Sequence, residues 1–141
     1  MPDGNKALVR RFYDEVFIKG NLDAVDELCT TDFVDHEAPP GMPPGIEGVK
    51  AVVSMYRTAF PDLHATVEDV VSEGDRAAAR VTFGGTHKGE MMGMPPTGKS
   101  FEASTIDILR FEGGKAAEHW GVTDQMGMMQ QLGVIPEQPG G

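Results

Sequence analysis

Apolar positions recur every three or four residues early in the chain and every second residue later. Leu8, Phe12 and Val16, flanked by Val9 and Tyr13, form a stripe that predicts an amphipathic helix from about Lys6 to Ile18. Gly20 stops it. Asn21 is placed to cap a second short helix, Leu22 to Leu28, with Leu22, Val25 and Leu28 inward. The stretch from Asp32 to Gly48, DFVDHEAPPGMPPGIEG, holds four prolines and three glycines and reads as an ordered loop. A third helix, about Ile46 to Phe60, carries Val49, Val52, Val53, Tyr56 and Phe60 at helical spacing and ends at Pro61.

Beyond Pro61 the period becomes two. His64 to Glu73 and Arg76 to Lys88 read as strands joined at Gly74-Asp75, with Asp69 opposite Arg80. Ala77, Ala79, Val81, Phe83, Gly85 and His87 share one face of the second strand; Arg80, Thr82, Thr86 and Lys88 share the other. A loop, Gly89 to Lys99, leads to strand Ser100 to Glu112, a Gly113-Gly114 turn and strand Lys115 to about Thr123. Regular pairing about that turn sets Asp107 opposite Trp120, Thr105 opposite Val122 and Ala103 opposite Asp124. It puts His119 on the other face, with Ile106, Ile108, Arg110 and Ala117, toward solvent or a subunit interface. A final helix, Asp124 to Leu132, ends at Gly133, and the tail at 136–141 is expected to be disordered. Helices first and antiparallel strands afterwards is the α+β pattern, with a concavity between the layers as the default site.

Composition narrows the function classes. The 141 residues fit one domain, residues 1–141, and 40% hydrophobic content supplies a core. No apolar run approaches the ~18 residues of a membrane span, and the N-terminal stretch MPDGNKALVRRFYDE lacks a signal-peptide core. The single Cys29 forms no internal disulfide, reads as core filler and favours a cytoplasmic protein. A net charge of −10 with scattered basic residues disfavours nucleic acid as a partner. No HxH or HExxH spacing points to a metal, no glycine fingerprint follows a strand, and GGTHKGEMMG is not a phosphate loop.

Several stretches resemble the SnoaL-like polyketide cyclases, or ester cyclases, of the NTF2-like superfamily. They are FYDEVFIKGNLDAVDEL, DFVDHEAP, YRTAFPDLHATVEDVV, GTHKGEMMGMPPTGKSFE and IDILRFEGGKAAEHWGVTDQMGMMQQLG, together roughly Lys6 to Ile135. The resemblance implies a cone-shaped barrel of helices on a curved antiparallel sheet, with a deep apolar pocket. It implies intramolecular aldol closure of a polyketide ester without cofactor or metal, and homodimers formed through the sheet. The same pocket serves isomerases, hydrolases and plain ligand binding elsewhere in the superfamily.

The acid-base carboxylate of those cyclases matches Asp124, and their loop histidine matches His36. Such a base gains strength from burial, because desolvation disfavours the charged form. Read from the residues alone, Asp124 is as well explained as the cap of the final helix. Asp107, between Ile106 and Ile108, is either solvated or a pocket residue. Trp120, Asp107, His87, Phe83, Tyr56 and Met92 complete the expected substrate contacts, and a small apolar or aromatic compound the expected ligand. Met91, Met92 and Met94 in one loop, with Met126, Met128 and Met129 in the last helix, form either an adaptable lid or ordinary packing.

Overall fold

The computed structural model describes residues 2–39, 41–91 and 93–135. Met92 and the 136–141 tail therefore lie outside the described residues. The first helix, α1, runs Pro2–Arg11 and continues directly as a π-helical segment, Phe12–Ile18. The Lys19 N–H reaches back five residues to the Asp14 carbonyl at 3.1 Å. Helix α2 is Asp23–Leu28, followed by strand β1, Cys29–Asp35, and helix α3, Gly45–Ala59. Strands β2 (His64–Glu73), β3 (Arg76–Thr86), β4 (Ser100–Glu112) and β5 (Lys115–Thr123) precede helix α4, Gln125–Leu132.

The fold is α+β. One five-stranded sheet has the order β1-β5-β4-β3-β2, with β1 parallel to β5 and every other pair antiparallel. β1 and β2 remain as its two edges, so the expected cone is an unclosed sheet rather than a complete barrel. β1 itself lies where an irregular chain was expected. Its burial alternates poorly, with only Cys29 and Phe33 fully buried, so it carries no clear period of two.

Helix α1 packs on β2, α3 on β1 and α4 on β4. The larger core joins Val9, Tyr13, Val16, Val25 and Val53 to Val81, Leu109 and Phe111 of the sheet. A second cluster gathers Phe60, Phe83, Met91, Phe101, Met128 and Leu132 at the other end.

Both hairpins begin as the turn chemistry predicts. Gly113 and Gly114 have φ of 57° and 81°, the left-handed pair required by the tight turn best suited to hairpin twist. Asp69 pairs with Arg80, and the Arg80 guanidinium lies 2.6 Å from its carboxylate. The registers then slip. In β2 the slip lies between Val67 and Asp69. In β5, Ala116 still pairs with Phe111 as expected, but Glu118 rather than Ala117 pairs with Arg110. Ala117 is thus an extra residue, and Ala116 and Ala117 are both buried although adjacent. A one-residue bulge reverses the faces of all that follows it.

Candidate active site

A cavity of about 150 Å³ lies between the helices and the sheet. The π-helical segment lends it Phe12, Tyr13 and Phe17; α3 lends Val49, Val53 and Tyr56; the sheet lends Val81, Phe83 and Leu109. Looser winding than 3.6 residues per turn draws Phe12, Tyr13 and Phe17 onto a narrower arc than an α-helix would. Arg57 of α3 fixes the end of that segment, donating to the carbonyls of Phe17, at 2.9 Å, and Ile18.

Into this apolar space the sheet projects one connected polar group. His119 sits between two carboxylates: Nδ1 is 2.8 Å from Asp35 Oδ1, and Nε2 is 2.8 Å from Asp107 Oδ1. Asp107 Oδ2 accepts the Tyr13 hydroxyl. Asp35 Oδ1 also accepts the Glu37 amide at 2.9 Å. Each of the four comes from a different element, β1, β4, β5 and the π-helical segment, and all four line the cavity.

Their charges follow from this packing. Burial pushes the His119 imidazole down, but the hydrogen bonds and charges of Asp107 and Asp35 outweigh it and push the pKa up to about 9. At neutral pH the ring is therefore an imidazolium with both N–H groups directed at carboxylates. Burial pushes the Asp35 carboxyl up; the bond and charge of His119, with the Glu37 amide and His36, more than offset it and hold it below its ordinary range. Cys29, in the cavity wall, is pushed up to about 12 by burial, reinforced by Asp26 and Asp35, and stays a thiol.

Gly121 makes the central contact possible. It pairs with Asp107, and a Cβ built on it would lie 2.5 Å from Asp107 Oδ1 and 3.1 Å from His119 Nε2. Gly121→Ala is therefore expected to separate Asp107 from His119. The His119 pKa, followed by NMR, should fall toward 6.5. An imidazole still titrating near 9 would show that the pair tolerates the methyl group.

Comparison with known proteins agrees with this architecture. The family model for SnoaL-like polyketide cyclase matches residues 7–132. The chain belongs to the SnoaL-like polyketide cyclase family. Among curated relatives, aklanonic acid methyl ester cyclase of Streptomyces peucetius is 32% identical over 89% of this chain and 88% of its own. Nogalonic acid methyl ester cyclase of Streptomyces nogalater is 30% identical over 83% and 89%. The solved structure of TsrD from Streptomyces laurentii superposes with a TM-score of 0.87 at 31% identity, covering 96% of this chain and 98% of that one.

Within this SnoaL-like frame the residues singled out from sequence separate. Asp107, Phe83 and Tyr56 line the cavity. Trp120 does not: the bulge pairs it with Ile108 on the outer face, where it stacks on His36 with ring centroids 5.0 Å apart. The same reversal brings His119 inside, correcting its expected place at solvent or an interface. Asp124 is exposed rather than buried beside Trp120, and it caps α4 by accepting the Gly127 amide at 2.9 Å.

His36 stands at the rim, not in the inner cavity, with Nε2 2.6 Å from Glu118. It borders an adjoining space of about 310 Å³ walled partly by Met55, Met91, Met128 and Met129. Tyr56, Glu37, Pro39 and Gln125 border both spaces, so the methionines wall a space next to the cavity that holds the polar group. His87 is fully buried away from the cavity lining, its Nδ1 accepting the Thr97 amide at 3.3 Å. It secures the loop after β3. Met92 falls outside the described residues.

The sequence pattern shows Asp35 only as part of a loop, Tyr13 only beside a helical stripe, and His119 on the outward face. The one sequence signal for the last is the small pair Ala116-Ala117, which can turn inward together at a bulge. Among the described residues no three His, Cys, Asp or Glu side chains are grouped to hold a metal ion. No helix there is long and apolar enough to cross a membrane.

Proposed function

We propose that the protein closes a ring in a polyketide ester by acid-base catalysis, with Asp107 as the base. The observation that carries this reading is the Asp107 carboxylate, facing an apolar cavity and bonded to the His119 imidazolium. Membership of a cyclase family supports it, as do relatives named for aklanonic and nogalonic acid methyl esters. Asp107 takes a proton from a carbon flanked by carbonyls. The fixed charge of His119 stabilises the enolate in a site of low dielectric, where oriented charge acts most strongly. The apolar walls fold the chain so that the enolate carbon meets the ketone. The chemistry is of the lyase or isomerase type, and every step uses a group of this chain.

Incubation with linear anthraquinone-type esters tests the proposal. Aldol addition within one molecule leaves the mass unchanged, so the product is expected at the same mass, with a new retention time and one handedness. Saturable binding with unchanged ester recovered would instead make the protein a ligand carrier.

A homodimer through the sheet is part of the proposal. Val71, Ala78, Ile108 and Trp120 align across β2 to β5 on the outer face. Val122, 75% exposed, and Ile106, 50% exposed, extend this apolar strip. Sedimentation at the monomer mass would remove it. A cytoplasmic location, resting on the lone Cys29, is tested by cell fractionation.

A further inference from the structure

Ring closure leaves two tasks after the carbon-carbon bond forms. The new ring oxygen must gain a proton, and Asp107 must lose the one it took from carbon. Tyr13 touches both places: its hydroxyl donates to Asp107 Oδ2, and its side chain lines the cavity. We propose that Tyr13 is the proton donor to the new alkoxide and the group through which Asp107 is reset; this rests on the reading of Asp107 as the base.

The protons balance within the site. The substrate C–H bond breaks and its proton passes to the Asp107 carboxylate. The enolate carbon then attacks the ketone carbon, and the C=O π electrons move onto oxygen. A protonated Oδ2 no longer accepts from Tyr13, so the direction of that bond reverses and the Tyr13 O–H, with its ring held in place, is freed to point into the cavity. The alkoxide takes the Tyr13 hydroxyl proton, and the phenolate takes the proton held by Asp107. No proton is gained from or lost to solvent over the cycle, and no co-reactant is needed.

The other donors near the cavity fit this role less well. Both N–H groups of His119 are directed at Asp35 and Asp107, so proton loss from either would take a charged donor away from a partly buried carboxylate. Tyr56 is held in its neutral form by burial, but its hydroxyl bonds to neither Asp107 nor His119. Tyr13 is also held for the task. Its ring is edge-on to Phe12 at 6.1 Å and packs on Phe17 at 5.8 Å, and Arg57 clamps the end of its helical segment.

Tyr13→Phe removes the hydroxyl and leaves the ring. Its kcat is expected to fall about 100-fold, as for loss of a general acid, with KM changed less than about twofold. Its residual rate should rise with imidazolium buffer concentration at fixed pH and ionic strength, while the wild-type rate does not respond. A purely structural role would give no such rescue. Should the phenylalanine variant fold poorly, 3-fluorotyrosine placed at position 13 keeps the packing and strengthens the acid, and a changed kcat is then expected.

Turnover of Tyr13→Phe within about threefold of wild type, a fall without buffer response, or an unchanged fluorotyrosine rate would each overturn the proposal. Asp107→Asn keeps the two ideas apart. Loss of turnover there without buffer rescue, beside a Tyr13→Phe enzyme of near wild-type rate, removes the Tyr13 role and leaves the base. Activity retained in both variants removes both.

Discussion

Asp107→Asn is expected to lower turnover about 1,000-fold, within the range for loss of a general base, while the protein stays folded. The amide keeps an oxygen able to accept from Tyr13 and fills nearly the same space. It cannot take a proton from carbon, and it removes one of the two charges that hold His119 protonated. The loss should therefore fall on kcat, with a lower His119 pKa in the same variant by NMR. Asp124→Asn is the paired measurement, because Asp124 is the carboxylate that family resemblance favours. It lies at the surface as the cap of α4, and Asn is as good a cap. Turnover within about threefold of wild type and near-unchanged stability are expected. A dead Asp124→Asn enzyme beside an active Asp107→Asn enzyme would return the base to the helix start.

Nearly all of the fold was legible because its signals are local. Helical stripes, proline stops and glycine turns each act within a few residues, and they locate α2, α3, β2, β4 and β5 to within one or two positions. The candidate site was legible only in part because it depends on parity. The Gly113-Gly114 turn fixes the first two pairs of the β4–β5 hairpin, and one extra alanine then exchanges Trp120 for His119 on the inner face. In KAAEHW only the small pair Ala116-Ala117 hints at an extra residue, and it is a weak signal because alanine fits either face. Asp35 was hidden for another reason. β1 is a parallel edge strand paired only with β5, so its partners lie about 85 residues away and leave no short-range pattern. The π-helical turn at Tyr13 was equally silent, because FYDEVF suits ordinary helical spacing too.

His119 should also govern how stability depends on pH. An unfolded histidine releases its proton near pH 6.5, whereas the folded ring holds it to about 9. Below about pH 6.5 both states carry the proton and the whole stabilisation is present. Between these values only the folded state is charged, and each further pH unit removes about 1.4 kcal/mol. Above about pH 9 the contribution is gone, a total of about 3 kcal/mol and a large share of a typical 5–15 kcal/mol stability. Asp35 sets the acid side with the opposite sign. Its folded carboxyl lies below its ordinary value of 3.8, so its contribution is present above that value and is lost as pH falls through the folded value. Urea unfolding at successive pH values should therefore show a plateau from about pH 4 to 6.5 and a steady decline toward pH 9. His119→Gln removes the titrating group and should flatten the alkaline slope; it also removes the bond and charge that lower the Asp35 carboxyl, so the acid slope should weaken with it. A wild-type midpoint that does not move between pH 6.5 and 9 would mean that His119 is not held as a cation between Asp35 and Asp107. The proposed stabilisation of the enolate would then lose its charge, because both rest on the same imidazolium.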